Sequence, residues 1–164
     1  MAGQFLTFCL DNTNYAINVF NIKEVIEYNT PQTLPCSTPL LLGILRLRDE
    51  NITIMDVRQK FNIPPASPSK DTRIIILDIY DPFAEDKNTY GIIADSVLDV
   101  INIEDNELQS VPNSKNLSAG EFIQACTSIN EKYTFILDVE KLFSHKELNK
   151  ATKEKRRLKW QLNY

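Results

Sequence analysis

Two arginines set two residues apart, Arg46 and Arg48, stand out in the stretch GILRLRDENITIMDVRQKF, Gly43 to Phe61. A guanidinium is a planar fork of donors that can grip a carboxylate or carbonyls on another molecule. Side chains two apart in a strand share a face, so Ile44, Arg46 and Arg48 are expected on one side and Leu45 and Leu47 on the other. Other reactive groupings are sparse. The one histidine, His145, begins a basic tail, which leaves a histidine triad or zinc site without partners. Asp95 and Asp99 could form a carboxylate pair, but they flank apolar Val97 and Leu98, where structural hydrogen bonds are the expected use. Ser96 lacks the flanking glycines of a nucleophile elbow. The four glycines form no phosphate-cradling motif. Cys9, Cys36 and Cys126 are widely spaced and odd in number, so free thiols in a reducing compartment are expected. The residues point to a binding module, not an enzyme, with no metal and no cofactor.

The elements that must position the arginines read mostly as short strands. Residues 4–10 alternate with apolar residues on both faces, which predicts a strand covered on both sides. DNTN is a turn signal, and YAIN resumes a strand. Val19, Ile22, Val25 and Ile26 recur at helical spacing, which predicts a short helix over 19–27 with Asn18 as its N-cap. The arginine stretch itself reads as a hairpin turning at Asp49-Glu50-Asn51. NIPPASPSKD reads as an exposed linker, and TRIIILDIY, TYGIIADSVLDVINI, EFIQACTSI and YTFILDV as further strands. From Glu140 the pattern turns helical. Nine or ten short strands punctuated by turns imply barrels or a sandwich. No repeat of 20 to 50 residues is visible, which excludes a solenoid.

The chain has 164 residues, 43% of them hydrophobic and 24% charged, enough for one domain or two small ones sharing a core. A net charge of −4 argues against nucleic acid as the main partner. The charge is unevenly spread. Residues 144–164 hold seven Lys/Arg against two Glu, a net of +5, so the remainder carries −9. The N-terminus lacks the features of a signal peptide, and no run approaches the ~20 apolar residues of a membrane span. A cytoplasmic protein with no direct membrane insertion is expected.

Five stretches taken in order add a resemblance: FLTFCLDNTNYAINVFNIKEVIE, LLLGILRLRDENITIMDVRQKFNIP, TRIIILDI, YGIIADSVLDVINI and YTFILDVEKLF. Together they resemble the CheW family, the coupling proteins of bacterial chemotaxis arrays, over residues 4–143. The resemblance implies a mainly β fold of two SH3-like five-stranded barrels on a shared hydrophobic core. The short helix near the N-terminus and the C-terminal helix read from the residues are expected beside it, and residues 144 to 164 read as a basic helical tail with no family counterpart. It implies a non-catalytic adaptor that joins the cytoplasmic tip of a methyl-accepting chemoreceptor to the regulatory domain of the histidine kinase CheA. A CheW-like adaptor of a twitching, gliding or gene-regulatory pathway is the alternative, and a small ligand-binding barrel or enzyme a more distant one.

By the same resemblance, Arg48, Gly43, Val97 and Val100 match the receptor-binding region, and Ile22, Glu24 and Val25 match a helix that meets a partner. Core packing is an equal expectation for Ile22, Val97 and Val100. The competing expectation for Arg48 is an intramolecular pair with Asp49, Glu50 or another acid. The family usually has glycine at the position of Asp49, so Asp49 could hold Arg48 back from a partner.

Overall fold

A computed structural model describes residues 2–35, 37–81, 85–111 and 122–143. Ten strands form two five-stranded sheets. The chain opens with β1 (Gly3–Leu10) and β2 (Thr13–Asn18), then crosses to β3 (Ile22–Glu27), β4 (Leu41–Leu47), β5 (Glu50–Met55), β6 (Arg73–Asp81) and β7 (Asp86–Ala94). It returns to β8 (Ser96–Ile103), β9 (Ile123–Ile129) and β10 (Lys132–Leu137), and a four-residue helix, α1 (Val139–Leu142), follows. The spatial orders are β8-β1-β2-β10-β9, here the terminal barrel, and β3-β6-β7-β5-β4, the central barrel.

The strand patterns explain why these layers form. Ile74, Ile75, Ile76 and Leu77 of β6 are all fully buried, although adjacent strand residues point to opposite faces. Ile75, Leu77 and Ile79 enter a large core between the barrels, whereas Ile74 and Ile76 fill the central barrel with Leu45, Ile52 and Ile54. Strand β1 does the same: Leu6, Phe8 and Leu10 face the shared core, and Phe5 joins Ala16, Ile103, Ala125 and Ile136 inside the terminal barrel. Each fully buried aliphatic side chain contributes about 1.5–3 kcal/mol relative to exposure. A one-residue slip would exchange both faces, so register is tightly held.

The two barrels share a design. In each, two antiparallel hairpins meet along a short parallel ladder, Ile54 opposite Gly91 in one and Ile136 opposite Ala16 in the other. An isolated bridge flanks each: Gln32 and Ile44 exchange N–H···O bonds of 2.8 and 2.9 Å, as do Gln109 and Cys126. Asp56 and Asp138 follow β5 and β10 and accept from the amides of Arg58 and Glu140, at 3.1 and 3.0 Å. The sequence carries the same repeat as MDVRQKF and LDVEKLF. The first half of the chain, β1–β5, therefore resembles the second, β6–β10. Each barrel takes its leading hairpin from one half and three strands from the other.

The helix expected over 19–27 does not form. Val19–Asn21 make one 3₁₀ turn, and Ile22–Glu27 run as β3 against β6. The spacing of Ile22, Val25 and Ile26 fits a helix, but the β-branched residues pair as a strand, with a register shift between Ile22 and Glu24. Asn18 does cap the 3₁₀ turn, its Oδ1 accepting from Phe20 N at 2.9 Å. The C-terminal helix appears as α1, and the basic tail from 144 lies outside the described residues. Cys9 and Cys126 are free thiols, and Cys36 lies outside the described residues.

Candidate partner-binding surface

Arg48 does not extend a strand. β4 ends at Leu47, and the pairing of Leu47 with Glu50 leaves Arg48 and Asp49 as a two-residue turn. Both have positive φ, 49° and 66°, as the mirror-image turns that match strand twist require. The turn expected at Asp49-Glu50-Asn51 is thus displaced by one residue, because the hairpin register overrides the local preference of aspartate and asparagine. The same backbone occurs at Asp11-Asn12 and Asn130-Glu131.

From that turn the guanidinium of Arg48 reaches across to β3. Nη1 and Nη2 donate to Oε1 and Oε2 of Glu24, each at 2.9 Å. The Arg48 side chain is 72% exposed and that of Glu24 22%. A second bridge ties the same elements, Lys23 Nζ to Glu50 Oε2 at 3.4 Å. Asp49 pairs with Arg46 at 3.5 Å. The aspartate that departs from the family pattern therefore holds Arg46, and the acid engaging Arg48 is Glu24. Two residues singled out separately in the sequence form one clamp.

The other expected site residues separate into groups. Gly43 lies at φ 156°, and a Cβ there would stand 2.1 Å from the Gln32 carbonyl oxygen. The missing side chain thus admits a neighbouring backbone within this chain. Ile22 and Val97 are partly buried against the shared core, whereas Val25 and Val100 are exposed. Ile22 and Val25 pair with Leu77 and Ile75 on β6, as Val97 and Val100 pair with Phe8 and Leu6 on β1. The duplication makes these four residues two copies of one position set, one on each barrel. Lys23 and Glu24 then correspond to Leu98 and Asp99, and Arg48 to Asn130.

Two features escaped the sequence reading. Phe20, in the 3₁₀ turn beside β3, is 88% exposed. Arg58 is buried and paired with Asp95, and its Nη1 donates to the Pro64 carbonyl at 3.3 Å. Asp95 also accepts from Asp11 N at 2.9 Å, so it pins the β1–β2 turn to the central barrel rather than joining Asp99 in a carboxylate pair. Burial pushes the Asp56 carboxyl up, against the opposing pull of the Arg58 amide and charge. Tyr15, stacked on Phe61 with centroids 5.1 Å apart, is pushed up to about 12, mainly by burial. The repeated Asp-Val motif was the available signal for the Arg58 region. Phe20 offered none, because an isolated phenylalanine reads as core.

Among the described residues, no group of three His, Cys, Asp or Glu is placed to hold a metal, and no helix is long and apolar enough to cross a membrane. Two swapped β barrels on one core, with an exposed charge clamp at a hairpin tip, define a double-barrel interaction module. A family model described as the CheW-like domain matches residues 4–147, and the chain belongs to that family. A chemotaxis protein CheW of Treponema pallidum is 30% identical over 151 residues, spanning 90% of this chain and 85% of that one. A CheW of Bacillus subtilis is 25% identical, over 82% and 83% of the two chains. The crystal structure of the scaffolding protein TtCheW from Thermoanaerobacter tengcongensis superposes with a TM-score of 0.74 at 26% identity, covering 88% of this chain and 89% of that one.

Proposed function

We propose that this chain is a non-catalytic adaptor that couples the cytoplasmic tip of a chemoreceptor to the regulatory domain of the kinase CheA, at the cytoplasmic face of the receptor array. The observation that carries this reading is the Arg48–Glu24 clamp on a CheW-type double barrel. Its guanidinium is held in place through two hydrogen bonds yet remains largely open to solvent. A pre-oriented arginine loses little freedom on binding, which is how interface hot spots gain their weight. Val25 and Val100 supply exposed apolar area, one on each of the two sheets.

Calorimetric titration of the purified chain with a receptor signalling tip, and separately with the kinase regulatory domain, tests the proposal. Arg48→Ala is expected to weaken receptor binding by about 2 kcal/mol, roughly 30-fold. Arg46→Ala is expected to cost much less, and both variants to keep kinase-domain binding. Equal, small effects of the two substitutions would reject the role of Arg48. Failure of the parent chain to bind either partner would reject the coupling reading itself.

A further inference from the structure

The clamp at the mouth of the central barrel has a counterpart position in the terminal barrel, and there the mouth is open. In the central barrel, Ile52 and Ile76 fill the interior behind Arg48–Glu24 and Lys23–Glu50. In the terminal barrel the matching residues are Thr134 and Thr7 inside, Asn130 and Asp99 for Arg48 and Glu24, and Leu98 and Lys132 for Lys23 and Glu50. Those six residues line a cavity of about 320 Å³. Asp99 keeps its backbone place, its amide donating to Thr7 Oγ1 at 3.0 Å and its carbonyl accepting from the same hydroxyl at 2.9 Å. Its carboxylate has no hydrogen-bond or ion-pair partner among the described residues. One barrel thus carries a carboxylate satisfied by an arginine, and the other carries the matching carboxylate with asparagine in place of the arginine and a void beside it.

We propose that the open mouth of the terminal barrel binds an arginine side chain presented by a partner polypeptide. The inference does not rest on the coupling role. Two features specify arginine over lysine. The template in the central barrel is a two-pronged guanidinium–carboxylate contact. The walls combine apolar Leu98 with the hydroxyls of Thr7 and Thr134, which suit a flat, weakly hydrated cation. Lys132 lines the same mouth without an ion pair to Asp99, and its charge opposes any cation that enters.

Nuclear magnetic resonance titration of the full chain with the peptide acetyl-Gly-Gly-Arg-Gly-Gly-amide, and with its lysine counterpart, tests this. Saturable amide shifts are expected at Thr7, Asp99 and Asn130, with the arginine peptide binding at least tenfold more tightly. Asp99→Asn should abolish them. Asn130→Arg should also abolish them, by supplying the guanidinium from within, and Lys132→Glu should tighten binding. Should Asn130→Arg disturb the fold, the opposite effects of Asp99→Asn and Lys132→Glu carry the test alone. Shifts spread over other acidic residues, equal response to both peptides, or indifference to Asp99→Asn would overturn the proposal.

Discussion

Glu24 and Arg48 meet through both carboxylate oxygens, although one lies on β3 and the other in the turn between β4 and β5, at opposite edges of the same sheet order. The contact closes the open side of the central barrel. Because the arginine is mostly exposed, the pair contributes modestly to folding. A double-mutant cycle with Arg48→Ala and Glu24→Ala, read by urea unfolding, should give a coupling of about 0.5–1 kcal/mol. The coupling should shrink in high salt.

Gly43 should be the least tolerant of the expected site residues. Its Cβ would fall 2.1 Å from a backbone oxygen that cannot rotate away, and Ile44 beside it is bonded to Gln32 in both directions. Gly43→Ala should lower stability by about 2–3 kcal/mol in urea unfolding. Loss of partner binding in that variant would reflect the displaced strand.

The Arg58–Asp95 pair should matter more than the surface clamp. Asp95→Ala leaves a buried guanidinium with one remaining carbonyl partner and frees the β1–β2 turn. About 2–4 kcal/mol should be lost, somewhat below the range for a fully buried pair because Asp95 is partly exposed. Adding Arg58→Met should recover part of that loss in the same unfolding assay.

Tyr15 links stability to alkaline pH. Its folded pKa of about 12 lies above the ordinary phenol value of 10.0. A raised value means that its contribution is fully present below pH 10 and is lost as pH rises toward 12. Tyr15→Phe should flatten the fall in stability over that window. Ultraviolet titration of the folded chain should show one late-ionising phenol, absent in the variant.

The strand content and the double coverage of β1 were legible because residues 4–10 are apolar on both faces and runs such as TRIIILDIY are rich in β-branched residues. The β3 segment was not, since Ile22, Val25 and Ile26 satisfy helical spacing as well as a strand with a bulge, and only pairing with β6 decides between them. Arg48 and Glu24 could each be singled out, but their contact depends on the turn falling at Arg48-Asp49, a choice made by cross-strand register. The duplicated architecture left a trace in MDVRQKF and LDVEKLF, yet its period exceeds that of any common repeat.

The exchanged hairpins constrain how the chain can be made. The central barrel is built from consecutive strands, β3 to β7, and can pair as soon as they emerge during synthesis. The leading hairpin, β1–β2, must wait for β8 and β10, translated near the end. Until then Leu6, Phe8 and Leu10 have only the central barrel's half of the shared core to cover them. Such distant pairing slows folding and leaves apolar edges exposed. A nascent chain stalled before β10 is therefore a natural client for a chaperone, and neither half of the sequence expressed alone contains all the strands of either barrel.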